Sequence, residues 1–369
     1  MGTILLFIIV LSLLVFVHEL GHFLVAKKTG MKVEEFGFGF PPKLFGIKKG
    51  DTVYSINWIP LGGFVRIKGE SGDHKEDSDS FASKKIWQRF SVLIAGVAMN
   101  LVLAAIFLSI GFMVGLPSIV DENLPKSARV EESKLTIMTV LEKSPAKEAG
   151  VNEGDNIVSI DGRVFDLAQD ARDHISEKGL SGIELVTQSK DESYKTFVLT
   201  SEPLEGTEII GIGLGFELTG FVSYPFFQSI WQGILTTGEL TFAIVAAFIG
   251  IIANLISGQG VGVDLSGPVG IAVLTGQVAA LGLIHLLQFT ALLSINLAVI
   301  NVLPFPALDG GRLLFLVIEK FRGKNVNVKI ETAVHNFGFL LLMVLVVLVT
   351  YKDFVNFGDE ILGAIKSFI

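Results

Sequence analysis

Long apolar runs constrain this chain more than any other feature. Residues 4–17 read ILLFIIVLSLLVFV, and runs free of Asp, Glu, Lys and Arg recur over 90–117, 283–305 and 333–351. A helix needs about 20 apolar residues to cross the hydrocarbon of a bilayer. The spacing therefore predicts transmembrane helices over 3–26, 90–117, 283–305 and 333–351. Half of the 369 residues are hydrophobic, 18% are charged and mean hydropathy is +0.60, which suits a polytopic membrane protein. The first run has no basic start and no small-residue cleavage site after it, so it reads as a retained helix and not as a signal peptide.

Basic residues give these spans a direction. Lys27, Lys28 and Lys32 follow the first, Lys84, Lys85 and Arg89 precede the second, and Arg312, Lys320, Arg322, Lys324 and Lys329 separate the last two. Cytoplasmic loops collect Lys and Arg, and four spans with both termini and segment 118–282 outside satisfy that rule. A fifth apolar stretch, 226–256, carries Gln232 and Glu239. If it crossed, the last basic loop would move outside, so it is expected to be interfacial or re-entrant.

The sequence divides into a membrane region 1–117, a soluble domain 127–205, the segment 206–282 and a second membrane region 283–369. Within the first, DTVYSINWIPLGGFVRI at 51–67 predicts a membrane-associated β-hairpin turning at Pro60-Leu61-Gly62-Gly63. Residues 70–80 (ESGDHKEDSDS) form an acidic loop. In the soluble part, Ser144 suits an N-cap, Pro145 a first helical position and Gly150 a left-handed C-terminal position. Asp161-Gly162 reads as a hairpin turn. The string SPAKEAGVNEGDNIVSIDG resembles PDZ domains of bacterial proteases, in a single copy, and IGIGLGF at 210–216 is a candidate last strand.

The net charge of −8 is divided among segments, and no basic block points to nucleic acid. Neither nucleic acid nor a nucleotide is expected as a partner. With no cysteine in the chain, any metal must be held by nitrogen and oxygen.

His18 and His22, in the string His18-Glu19-Leu20-Gly21-His22, lie on one face of a helix and can grip one metal ion, with Glu19 beside them. HExxH alone is a short pattern. Its place inside an apolar span sharpens it, because buried ionisable groups cost several kcal/mol unless paired or functional. A catalytic zinc site needs a third protein ligand and an open position. Asp309 is the best candidate, at the end of Asn301-Val302-Leu303-Pro304-Phe305-Pro306-Ala307-Leu308-Asp309-Gly310-Gly311. Two prolines break the helix there, and freed backbone at membrane depth must face protein or a water-filled cavity. His74, His174, His285 and His335 are poorer candidates by position. Two plain readings stand beside these: interfacial histidines satisfied locally, and Asp-Gly-Gly as a surface turn.

HELGH, the PDZ string and NVLPFPALDGG together resemble the site-2 protease family of intramembrane metalloproteases, of the bacterial regulator-of-sigma-E protease type. GFGFPP at 37–42, IPLGGFVRIKGE at 59–70 and SGPVGIA at 266–272 are similar to further segments of that family. The resemblance implies a Zn²⁺ cofactor held by His18, His22 and Asp309, Glu19 as general base, and Asn301 as an oxyanion or substrate contact. It implies transmembrane protein substrates in a bacterial inner membrane; the hairpin over 51–67, with Gly62 and Gly63 as contacts, could hold an unwound substrate as an added strand or serve only as a structural hairpin at the membrane surface. The PDZ domain would be extracytoplasmic and the active site would lie toward the cytoplasm. Two departures are visible: Gly96-Val97-Ala98-Met99-Asn100 lacks the proline of the family's Gly-Pro-x-x-Asn, and one PDZ replaces a tandem pair. A metal transporter and a membrane-tethered PDZ adaptor are the rival readings. A transporter would be expected to show repeated halves, and an adaptor has no use for an intact His18, Glu19, His22 and Asp309.

Overall fold

The computed structural model describes residues 2–121, 124–178, 181–189, 191–203, 210–258 and 266–358. It forms two compact units, 1–110 with 230–369, and 111–229. In chain order, α1 (Gly2–Lys28), β1 (Val33–Lys49), β2 (Thr52–Ile67) and α2 (Ile86–Val114) come first. Then follow β3 (Leu116–Ile119), β4 (Arg129–Val140), α3 (Pro145–Glu148), β5 (Asn156–Ile160), α4 (Ala168–Lys178), β6 (Gly182–Gln188), β7 (Tyr194–Thr200), β8 (Glu202–Pro203), β9 (Ile210–Gly211) and β10 (Leu214–Ser223). The chain closes with α5 (Phe226–Ile256), α6 (Pro268–Ala280), α7 (Leu283–Val302), α8 (Asp309–Arg322) and α9 (Val328–Asn356).

Among the described residues five helices, where four are expected, are long and apolar enough to cross a membrane: α1, α2, α5, α7 and α9. The additional one is the stretch expected to be interfacial, which forms one continuous helix of 31 residues. Gln232 and Glu239 do not interrupt it, because both residue types are good helix formers.

Packing fixes the relative directions of these helices. Gly21 of α1 lies against Ala95 and Met99 of α2, while Val10 and Leu14 meet Leu103, so the two run antiparallel. Ser294 of α7 donates to the carbonyl of Asn100, and Leu286, Leu293 and Leu297 join the same cluster. The end of α7 therefore approaches the end of α1. α9 starts beside Gly72 and Pro306 and ends where Asp353 accepts from the amides of Gly267 and Gly270, at 3.0 and 2.8 Å. That buried carboxylate caps the N-terminus of α6, an anion at the positive end of a helix. α6 in turn rests on Thr3 at the start of α1. On α5, Gly233 meets Ala105 and Ser109, whereas Thr241 and Phe242 share a groove with Leu101 and Val102. α5 thus descends alongside α2, yet α6 resumes at the end of the bundle where α5 began.

The β-element differs from the expected hairpin. The chain reverses between Lys49 and Thr52, at Gly50 with φ +63°, and not at Pro60–Gly63. The partner strand, VEEFGFGF at 33–40, was hidden by its glutamates and glycines. Pro60–Gly63 lies inside β2, where Gly62 at φ +80° bends the strand. Its two halves then pair on either side of β1: Phe36 with both Val65 and Tyr54, Gly37 with both Phe64 and Ser55. In the adjoining acidic loop, Lys68 binds Asp77 and Asp79 at 2.9 and 2.8 Å.

The second unit is an antiparallel sheet in the order β3-β10-β4-β5-β6-β7, covered by α3 and α4. Alternation buries Ile183, Leu185 and Thr187 of β6, the period-two pattern of a sheet with one covered face. Ser144 caps α3 by accepting from Lys147 N, and Gly150 takes φ +82°, as expected. The unit is wider than 127–205, because β10 is an interior strand paired with both β3 and β4. Residues 204–209 and 259–265 of the expected domain and linker lie outside the described residues.

Candidate metal centre and active site

The i, i+4 spacing on α1 brings the rings of His18 and His22 together, with Nε2 atoms 3.1 Å apart. Asp309 Oδ2 lies 3.0 Å from His18 Nε2 and 3.2 Å from His22 Nε2. The carboxylate reaches them because α7 stops at Val302, two prolines keep the next residues out of a helix, and α8 begins at Asp309. Gly310 and Gly311 permit this: a Cβ on Gly311 would stand 2.5 Å from Phe305 O, and one on Gly310 would strike the carbonyls of Val302 and Leu303.

The donor set suits a divalent metal. Two imidazole nitrogens and a carboxylate oxygen, all within 4.8 Å of one another, match the N/O ligands of catalytic zinc. His22 Nδ1 is 2.8 Å from the carbonyl of Val92, which can only accept. Its proton therefore sits on Nδ1, leaving the Nε2 lone pair free for a metal, the usual outer arrangement around a ligating histidine. Behind His18, Asn100 Nδ2 lies 3.4 Å from Nδ1. Asn100 is fully buried, and its Oδ1 has no partner among the described residues. Turned over, the amide would present that oxygen to an Nδ1 proton and satisfy both groups. Gly96 completes the cradle: a Cβ there would stand 2.8 Å from His18 Nε2 and closer to His22 Nε2.

Glu19 accepts from the backbone N–H of Val65 at 3.1 Å, which ties the β-element to the metal-binding helix. A cavity of about 530 Å³ opens on the site, lined among others by Glu19, His22, Phe64, Val65, Asp309 and His335. An Arg312–Glu70 ion pair stands at its wall, and Arg89 pairs with Glu319 at 3.0 Å.

The remaining expected residues lie differently. Asn301 is half-buried in the last turn of α7 and is not among the residues lining this cavity. Gly62 and Gly63 lie against Val15 and Phe16 of α1, with Gly62 N donating to Ser12 Oγ at 3.3 Å. Their lack of a side chain lets β2 lie directly on α1, and Phe64 and Val65 reach the cavity instead. Sequence reasoning noted Gly96 and Asn100 only as a departure from the family's pattern and set His335 aside as a metal ligand, giving none of the three a role at the site. The Gly-x-x-x-Asn spacing was the available signal for the first two.

The family model for peptidase family M50 matches residues 6–345. The chain belongs to peptidase family M50. Membership fits the site-2 protease resemblance and leaves the transporter and adaptor readings without support. Among its M50 relatives, the zinc metalloprotease RasP of Geobacillus kaustophilus is 32% identical, aligned over 95% of this chain and 97% of that one. The regulator of sigma-W protease RasP of Bacillus subtilis is 31% identical over 95% of this chain and 98% of its own. The solved PDZ domain of the SdrC-like protein from Listeria monocytogenes is 21% identical with TM-score 0.22, covering 24% of this M50 chain and 92% of that domain.

Proposed function

We propose that this peptidase is a zinc endopeptidase that cuts transmembrane segments of other membrane proteins, with His18, His22 and Asp309 as ligands and Glu19 as general base. The observation that carries the reading is the meeting of those three side chains beside Glu19, between elements 291 residues apart. Zinc bound there supplies a Lewis acid that acidifies water and polarises the scissile carbonyl. Glu19 takes the proton of the attacking water and passes it to the leaving amine. The amide of Val65 fixes its carboxylate for both transfers. The oxyanion contact that the family resemblance implies for Asn301 would require it to turn toward a cavity that it does not line here.

A transmembrane helix hides its peptide bonds, so the substrate must unwind before it is cut. The 63–67 stretch of β2 runs along the cavity, and an unwound substrate can add there as a further strand. Gly62 and Gly63 serve this by seating the strand on α1. We assign anti-sigma factors or signal-peptide remnants as substrates, the first in keeping with the relative that is named a regulator of sigma-W protease. We assign the molecule to a bacterial inner membrane, with the basic end of α1 and the metal centre toward the cytoplasm. The PDZ-like unit, placed outside, supplies none of the four catalytic groups and is assigned to substrate selection.

Purified protein in detergent tests the assignment through zinc content and cleavage of a transmembrane model peptide. Glu19→Gln should bind one zinc and cut nothing, whereas Asp309→Ala should lose zinc and activity together. Wild-type turnover by the Gln variant would remove Glu19 from the mechanism, and full zinc in the Ala variant would remove Asp309 from the ligand set.

A further inference from the structure

The turn that delivers Asp309 contains an unusual residue. Ala307 has φ +82°, a left-handed conformation that side chains other than glycine rarely adopt. Something must hold it, and α9 supplies two contacts one helical turn apart. The amide of Ala307 donates to His335 Nδ1 at 2.9 Å. Gly338, on the same face of α9, lies so close under Pro306 that a Cβ would stand 2.6 Å from its carbonyl oxygen. The His335 ring is set by Phe315 of α8, centroids 5.6 Å apart. A backbone N–H can only donate, so Nδ1 accepts and the ring is the neutral tautomer protonated at Nε2.

We infer that His335 is a positioning residue for the metal centre: its Nδ1 holds Ala307 in the left-handed turn that aims Asp309 at His18 and His22. The inference rests on the zinc-ligand reading. Without an acceptor, Ala307 N–H is left unpaired and the backbone relaxes toward an ordinary φ. Two residues on, the carboxylate then leaves the two Nε2 atoms. Gly338 and the Gly310-Gly311 pair limit where the turn can go but make no bond to that amide.

The test uses full-length, zinc-loaded protein in detergent, with zinc release to excess chelator and amide exchange of 303–309 in the metal-free protein as readouts. His335→Leu should release zinc about 10- to 100-fold faster, the usual loss when an outer partner of a ligand is removed, and should lose protection at Ala307. His335→Asn, whose Oδ1 falls near the position of Nδ1, should behave like the wild type. Ala307→Gly, which accepts positive φ without cost, should restore slow release in the His335→Leu background. Wild-type release by His335→Leu would overturn the inference. So would equal loss in His335→Asn and His335→Leu with no rescue by Ala307→Gly, because the ring would then matter only as bulk. Asp309→Ala run alongside separates the two levels: if it kept zinc as the wild type does, the ligand reading itself would fall.

Discussion

Gly96 shows how one missing side chain can decide a metal centre. Its Cα faces both imidazoles from α2, and a Cβ there would stand 2.8 Å from His18 Nε2. Gly96→Ala should favour the isolated helix by about 1 kcal/mol yet push both rings off their common point. The expected outcome is a folded protein with zinc affinity lowered at least about tenfold, measured by metal analysis after dialysis against a chelator. Full retention of zinc would mean that the rings can step aside. His18, Glu19, His22 and Asp309 were legible in the sequence because helical spacing and a proline-broken helix are local properties. Gly96, Asn100 and His335 act on residues far away in the chain: Asn100 is 82 positions from His18, and His335 is 28 from Ala307. A single sequence holds no distances of that kind. The task of His335 is to accept one backbone amide, which leaves no motif.

At the scale of elements, apolar period and turn chemistry were readable, while pairing was not. The turn Asp161-Gly162 was foreseen, with φ +51° and +72°, but not its partners. Asp161 accepts from Glu184 N at 3.0 Å, His174 Nε2 at 2.9 Å and Lys178 Nζ at 3.1 Å. Chiefly the Glu184 amide, then His174 and Lys178, pull its carboxyl down from 3.8 to about 2. A depressed folded value stabilises above the unfolded value and is lost as pH falls through the folded one. The contribution, about 1 kcal/mol once solvent screening of these contacts is allowed for, should be complete at pH 7 and fade between about pH 4 and pH 2. Asp161→Asn should lower the opening free energy of β5 and β6 by that amount at pH 7, read by amide exchange. The variant and the wild type should converge near pH 2. A gap independent of pH would assign the loss to the hydrogen-bond geometry and not to the charge. The β-element failed differently: β2 was recognised, but β1 alternates its aromatics with glycines, and its pairing to two parts of β2 depends on the bend at Gly62.

Across the whole molecule, the packing of helices bears on a question that hydropathy leaves open. Among the described residues five helices have the length and composition to cross a membrane, and five crossings would separate the basic segments. The contacts give another count. α1 and α2 are antiparallel, α7 runs with α1, and α9 returns to the start of α1, where Asp353 caps α6 beside Thr3. Read with the proposed membrane placement, these four helices would make four alternating passes. α5 departs from that same end and α6 resumes there, so under the proposed arrangement 226–282 would add no net crossing. On that count Lys27, Lys28, Lys84, Lys85, Arg89, Arg312, Lys320 and Arg322 all fall at one end, the distribution expected of a cytoplasmic face. The chain contains no cysteine, so single cysteines report without background. In intact cells, Lys195→Cys on the exposed face of β7 should react with a membrane-impermeant maleimide. Lys324→Cys, after α8, should react only once the membrane is permeabilised, and Glu19→Gln carried in the same chain should change neither result. Labelling of Lys324→Cys in intact cells would place the last basic segment outside and overturn the four-pass arrangement.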